Sequence, residues 1–230
     1  MGIGLIVTYF CFELNIEYNL DLTFLSIAII FPLVFTIRSS FRRREKALEH
    51  LSEFRSVLKT LQYFFMSSDK LTIEEKAEIE NILFEVNTKS LKHLENEFYD
   101  VHELDQTLHK VIEFTISRPE TIPRNLRDKI FRFMKDLHES IENAYAIHAH
   151  RTPISLKAYC ELFIYAFPLI YVPTIIFSIH ISHSQFIIYG LVLLTQFILI
   201  SLYNIQNQLE YPFDDVGLDD IKLGSFKMDR

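Results

Sequence analysis

The sequence predicts an all-α integral membrane protein, a helical bundle whose long helices extend into a cytoplasmic helical domain. Three observations carry this prediction. Hydrophobic residues make up 49% of the 230 residues and concentrate in uncharged runs near both ends, whereas charges concentrate in the middle. Only five residues are glycine, and no stretch shows the apolar–polar alternation of a half-buried strand. The apolar residues of the middle recur at helical spacing.

An amino-terminal membrane hairpin is predicted for residues 1–37. The uncharged run Leu22–Ile37 forms its second helix, and an acidic loop separates this run from Met1–Phe12. Twelve helical residues cover only about 18 Å, whereas the hydrocarbon core of a bilayer is roughly 30 Å thick. We therefore expect the first helix to be incomplete, with a re-entrant segment as the alternative.

A second membrane hairpin is predicted for residues 155–203. Its two helices are the uncharged runs Leu162–Ile179 and Phe186–Tyr203, each near the minimum length that spans a bilayer. The linker His180–Gln185 is too short for anything but a tight turn. Residues 204–230 then form an acidic carboxyl-terminal tail.

The distribution of Lys and Arg predicts the orientation in a cell membrane. Nineteen of the 23 basic residues lie between Arg38 and Arg151, and neither hairpin loop contains one. Because basic residues stay on the cytoplasmic side, the middle and the carboxyl terminus are predicted to be cytoplasmic. The basic cluster that begins at Arg38 and includes Arg42, Arg43 and Arg44 is interpreted as retention charge, with a lipid-binding site as the alternative.

The cytoplasmic domain is predicted for residues 38–154 as a set of amphipathic helices. The first stripe of apolar residues at 3/4 spacing contains Leu48, Leu51, Phe54, Leu58, Leu61 and Phe65. Thr72 followed by Glu75 forms a capping box that starts a further helix. Pro119 and Pro123 separate the last two helices of the domain.

Enzymatic and nucleic-acid functions find no support in the residues. The sequence has no nucleophile-elbow, phosphate-loop or glycine-rich cofactor pattern. A net charge of −7 argues against nucleic-acid binding. His148 and His150 are spaced i and i+2, so on a helix they point in nearly opposite directions and cannot easily share a metal. We expect no cofactor and no catalytic residue.

One face of the Leu22–Ile37 helix is a candidate pore lining. Ile27, Phe31 and Phe35 lie at i, i+4 and i+8, so several copies around an axis would stack three apolar rings. The edges of aromatic rings carry positive partial charge, and a narrow apolar ring can gate a channel by dewetting. The alternative is that these residues pack against lipid or the core.

The tail contains clustered carboxylates in Asp214, Asp215, Asp219 and Asp220. Carboxylate oxygens are the ligands that calcium prefers, which makes these residues candidate calcium ligands, although the EF-hand spacing is absent. Two alternatives stay open, namely a solvated acidic tail and an ionic contact with the basic cluster near Arg43.

Together these segments resemble the bestrophin family of anion channels, and most closely its small bacterial members. Three ordered stretches carry the likeness over most of the chain. The first is Ile27, Phe31 and Phe35 followed by Arg38-Ser39-Ser40-Phe41-x-Arg43, the second is Thr152-Pro153-Ile154-Ser155-Leu156 with Tyr159, and the third is Pro212-Phe213-Asp214-Asp215 with Asp219-Asp220. The chain departs from the family in having no tryptophan.

The resemblance implies a homopentamer in the lipid bilayer with a central pore for inorganic anions. Ile27, Phe31 and Phe35 would line its membrane neck, and Ile154 would lie at or near a cytoplasmic aperture. The acidic tail would match the calcium clasp of animal members. The predicted function is a passive, chloride-type anion channel without a catalytic cycle. The alternative is a non-conducting membrane scaffold or sensor whose cytoplasmic bundle binds partners.

Overall fold

The computed structural model describes residues 2–95, 101–151, 153–179 and 185–229. Within them the chain forms seven α-helices and one 3-10 turn, and none of these residues adopts a β-strand. The elements are α1 (Gly2–Glu13), α2 (Leu22–Met66), α3 (Ile73–Glu95), α4 (Val101–Ile116), α5 (Arg124–Ala149), α6 (Ile154–Ile179), α7 (Gln185–Glu210) and the 3-10 turn Leu223–Phe226. The predicted all-α class is confirmed. Thr152 and residues 180–184 of the predicted turn His180–Gln185 lie outside the described residues.

The chain separates into two compact units. The first comprises Met1–Arg42 and Thr152–Glu210, and the second comprises Arg43–Arg151 and Tyr211–Arg230. Helix α2 contributes residues to both. The predicted domain limits after residues 37, 154 and 203 stay predictions, because compactness does not say where a bilayer ends.

Three described helices in the chain are long and apolar enough to cross a membrane by length and composition. They are α2, α6 at the end of the stretch Arg124–Ile179, and α7. Helix α1 is also apolar but has only 12 residues. In the first unit, α1 packs on α6 and α7, which pack on each other. These helices establish a membrane protein.

Small residues let α1 approach α7 closely. Gly4, Thr8 and Cys11 form the buried side of α1, and the Thr8 hydroxyl donates to the Gly4 carbonyl at 2.7 Å. A Cβ atom added at Gly4 would lie 2.5 Å from Oε1 of Gln196 and 3.0 Å from a methyl carbon of Val192. Helices in lipid associate through close packing of small residues, because lipid tails are as apolar as the helix side chains and no hydrophobic force drives the helices together.

We predict that Gly4→Val lowers the free energy of unfolding of the detergent-solubilised protein by about 1–3 kcal/mol, because the added side chain overpacks a close contact. Thermal melting followed by tyrosine fluorescence measures the change. Gly190→Val is the matched control, since nothing lies within 4 Å of a Cβ atom at Gly190. Equal melting temperatures for the two variants would contradict the close packing of α1.

The second unit has one apolar core, to which α3, α4, α5 and the later part of α2 contribute. The predicted stripe of α2 is confirmed at its buried residues Leu51, Phe54, Leu58, Leu61 and Phe65, and Leu48 packs at the edge of the same core. The segment that follows α7 also enters this core, through Phe213, Ile221, Leu223 and Met228.

The predicted capping box is present at the start of α3. The Glu75 backbone N–H donates to the Thr72 hydroxyl at 3.2 Å, and the Thr72 backbone N–H donates to the Glu75 carboxylate at 2.9 Å. Arg118, which follows α4, also donates to Glu75 at 3.0 Å and to Glu78 at 2.7 Å. These hydrogen bonds and this ion pair lower the pKa of Glu75, with the Thr72 backbone hydrogen bond as the largest cause.

A row of aromatic rings joins α3, α5 and the carboxyl-terminal segment inside the second unit. The buried His93 ring stacks on Tyr145 with centroids 4.4 Å apart. Tyr145 lies 6.3 Å from His148, and His148 lies 6.1 Å from Phe213. Burial lowers the pKa of His93 below its ordinary value of 6.5, and the neighbouring His148 lowers it further, whereas Glu142 and Asp105 act in the opposite direction.

We predict that acid destabilises this unit through His93. A depressed pKa means that the unfolded chain binds the proton more readily, so stability is complete above pH 6.5 and falls as the pH drops toward the folded-state pKa. His93→Phe keeps a ring in the row but removes the titration, so its melting temperature should depend less on pH between about 7 and 5.

The control for this measurement is His109→Phe, which replaces an exposed histidine on α4 whose side chain is 64% exposed. It should keep the pH dependence of the wild type. If His93→Phe melts with the same pH dependence as the wild type, the buried imidazole does not govern acid stability.

Candidate functional site

Helix α2 has a buried side and an exposed side within the first unit. Ile29, Leu33, Thr36 and Ser40 are between 0% and 3% exposed. The candidate neck residues Ile27, Phe31 and Phe35 are 46%, 56% and 59% exposed. With about 100° of rotation per residue, the two sets lie on opposite sides of the helix. The single chain therefore leaves the candidate neck residues uncovered.

The candidate neck residues form a continuous apolar strip. The rings of Phe31 and Phe35 have centroids 6.0 Å apart and are inclined by 40°, a tilted arrangement favoured by the ring quadrupoles. The Leu22–Arg42 part of α2 contains neither Asp nor Glu. Thus the strip presents apolar side chains and aromatic edges without a fixed negative charge.

Pro32 lies inside α2, next to the candidate neck residues. A proline has no N–H to donate to the carbonyl four residues earlier, which here belongs to Ala28. The Tyr159 hydroxyl of α6 donates to the Ala28 carbonyl at 3.3 Å. A side chain from a neighbouring helix therefore replaces the missing backbone donor, as apolar surroundings require.

The same arrangement occurs a second time in the first unit. Pro173 lies inside α6 and cannot donate to the Leu169 carbonyl. The Tyr18 hydroxyl, from the loop between α1 and α2, donates to that carbonyl at 3.0 Å. Both contacts escaped sequence reasoning. The prolines were the available signal, but the partner tyrosines are more than 120 residues away along the chain.

Ile154 is the first residue of α6 and is 84% exposed. The Pro153 carbonyl accepts the backbone N–H groups of Leu156 at 3.0 Å and Lys157 at 3.3 Å, which starts the helix there. The candidate aperture residue is thus at a helix start and is open to a partner. Its assignment as an aperture stays a prediction.

Charged residues of α6 and α7 form a pair that sequence reasoning missed. Lys157 Nζ lies 2.7 Å from a carboxylate oxygen of Glu210, whose side chain is 1% exposed. The Tyr203 hydroxyl of α7 also donates to the Glu161 carboxylate of α6 at 3.4 Å. Both helices extend beyond their uncharged runs, and these contacts join the start of α6 to the end of α7.

Of the four acidic tail residues, Asp214 and Asp220 lie close together. Val216 N–H donates to the Asp214 carboxylate at 3.2 Å, and Gly217 N–H donates to the Asp220 carboxylate at 2.6 Å. Burial raises the pKa of Asp220 to about 6, and a hydrogen bond and charge repulsion from Asp214 contribute. Asp215 and Asp219 are exposed.

Among the described residues, no group of three or more His, Cys, Asp or Glu side chains is placed to hold a metal ion. The calcium assignment of the four aspartates stays a prediction.

In addition to its buried apolar side chains, the carboxyl-terminal segment is held by hydrogen bonds to its backbone. The Asn87 side chain donates to the Phe226 carbonyl at 3.1 Å and accepts the Met228 N–H at 3.2 Å. Arg44 donates to the Asp219 carbonyl at 2.5 Å, and Arg55 donates to the Lys227 carbonyl at 3.2 Å. The basic cluster thus contacts this segment, but at a backbone oxygen of Asp219.

Comparison with known proteins identifies the fold. No protein-family model and no curated protein matches the chain. A crystal structure of a bacterial bestrophin homologue from Klebsiella pneumoniae matches with a TM-score of 0.81 at 14% identity, over 97% of this chain and 90% of that chain. The chain has a bestrophin fold. A single-substitution variant of that homologue matches with a TM-score of 0.79 at 13% identity, over 97% of this chain and 92% of its own.

Another crystal structure, described as that of a membrane protein, matches with a TM-score of 0.80 at 14% identity over 97% of this chain and 89% of that chain. At identities this low, the similarity shows the fold alone. Function has to be argued from the residues of this chain.

We predict that Tyr159→Phe lowers the free energy of unfolding by about 1 kcal/mol, because it leaves the Ala28 carbonyl without a donor in apolar surroundings. Unfolding in a denaturing detergent titration measures the loss. Tyr165→Phe is the matched control on the same helix, where the side chain is 49% exposed. If both variants unfold alike, the hydroxyl does not compensate for Pro32.

Proposed function

We propose that this chain is the subunit of a passive anion channel in a cell membrane, with its second unit on the cytoplasmic side. The observation that carries the proposal is the exposed strip of Ile27, Phe31 and Phe35. It lies on an apolar helix of a bestrophin fold, opposite the side that packs within the chain. Copies arranged around an axis, most simply as a homopentamer, would turn these strips inward.

Within the neck itself the proposed mechanism uses confinement and aromatic edges, because Ile27, Phe31 and Phe35 carry no charge. A narrow apolar ring excludes water until the pathway widens, and so can close it without a plug. Ring edges of Phe31 and Phe35 bear positive partial charge, which favours a chloride-type anion over a cation at the same depth. Ile154 would form a second constriction at the cytoplasmic end.

We predict that Phe31→Ala or Phe35→Ala increases anion flux severalfold in liposomes that contain the purified protein, since removing a ring widens the neck and eases its wetting. Chloride efflux is the measurement. Phe197→Ala, which removes a 55% exposed ring from α7, is the matched control and should conduct like the wild type.

Three results would contradict the proposal. Cation-selective flux would exclude the aromatic-edge mechanism. A monomeric protein in detergent, at the chain mass of 27.2 kDa instead of a multiple of it, would exclude a shared axial pore. Absence of flux from the wild type and from both neck variants would favour the alternative function, a non-conducting scaffold or sensor.

A further inference from the structure

Four arginines lie close together on α2, but two of them are held within the chain. Arg43 donates to the backbone carbonyl of Ile147 at 2.7 Å and also to that of His150. Arg44 donates to the Asp219 carbonyl. These guanidinium groups satisfy carbonyls of the second unit, so they have a structural role that explains their presence.

Arg38 and Arg42 are different. Both are exposed, and neither makes a hydrogen bond or an ion pair with the part of the chain that the structure describes. The preceding residues of α2 offer no carboxylate, because its first acidic residue is Glu45. Two guanidinium groups therefore remain uncompensated within about two helical turns after Phe35, the last candidate neck residue.

Their position around the helix decides where they point. At about 100° per residue, Phe35 lies about 80° from Ile27, and Arg38 and Arg42 fall within that arc at about 20° and 60°. Arg43 and Arg44 fall outside it, at about 160° and 260°. Arg38 and Arg42 thus continue the strip of the candidate neck by two further helical steps.

We propose that Arg38 and Arg42 form a binding site for small inorganic anions at the inner end of the neck. This inference rests on the proposed function, since it takes the strip to line an axial pathway. Each subunit of a ring would contribute two guanidinium groups. A guanidinium stays charged at every physiological pH and is more weakly hydrated than an ammonium group. The site would concentrate anions where they lose water to enter the neck.

Anionic lipid headgroups have the same chemistry as a free anion and are the other source of a ligand for these groups. The two ligands are distinguished by measuring chloride binding in lipid-free detergent, where no headgroup is present. They are separated again by comparing vesicles of neutral lipid with vesicles that contain an anionic lipid.

The first experiment measures chloride binding without requiring conduction. The protein is expected to broaden the chloride-35 magnetic resonance line in detergent, and the double variant Arg38→Gln with Arg42→Gln should lose most of that protein-dependent broadening. Arg124→Gln, an exposed arginine at the start of α5, removes a similar charge elsewhere and should broaden like the wild type. The double variant Arg38→Lys with Arg42→Lys should retain a measurable part of this broadening, because it keeps the positive charge.

The second experiment measures ion flux in neutral-lipid liposomes. The double glutamine variant should lower chloride flux severalfold and reduce the preference for chloride over potassium, whereas Arg124→Gln should change neither. Melting temperature and oligomer mass check that each variant folds and assembles.

The outcomes separate the two proposals. Unchanged broadening in the double glutamine variant overturns the anion site, whether or not the protein conducts. Lost broadening in a protein that never conducts supports the site and overturns the channel function. If chloride flux depends on the arginines only in vesicles with anionic lipid, headgroups are the ligand and the site for inorganic anions is overturned.

Discussion

The first unit depends on satisfying every backbone carbonyl within an apolar environment. A helix does this by itself unless a proline removes a donor, as Pro32, Pro168 and Pro173 each do. For Pro32 and Pro173, the hydroxyl groups of Tyr159 and Tyr18 supply the missing hydrogen bonds from distant parts of the chain. Each hydroxyl also links two segments, α6 with α2 and the loop after α1 with α6.

Ile29 and Leu33 pack against buried residues of α6 and α7, and this packing gives α2 its two sides. The residues that pack within the chain include small and hydroxyl side chains, such as Thr36, whose hydroxyl returns to the Leu33 carbonyl at 2.8 Å. The opposite side keeps large apolar residues exposed and then continues into unpartnered arginines. A surface that is apolar and then cationic along one helix suits a pathway that admits an anion, removes part of its water and passes it through a narrow ring.

Much of the architecture could be predicted because it follows from local patterns. The helical class, the capping box at Thr72 and Glu75 and the buried stripe of α2 depend on residues three or four positions apart. The carboxyl-terminal segment shows where such reasoning ends. Its acidic residues predicted a calcium site, a solvated tail or an ionic contact with the basic cluster near Arg43. None of these predicted that Phe213 and Met228 are buried in the core of the second unit and that Asn87 holds the backbone.

The sequence by itself determined the membrane helices, their amphipathic counterparts and the phase that aligns Ile27, Phe31 and Phe35, since hydropathy and helical periodicity are properties of consecutive residues. Tertiary structure decided which side of α2 is buried, which tyrosine serves which proline, and that Lys157 pairs with Glu210. These contacts join residues far apart along the chain. Their geometry depends on how whole helices pack, which no local spacing specifies.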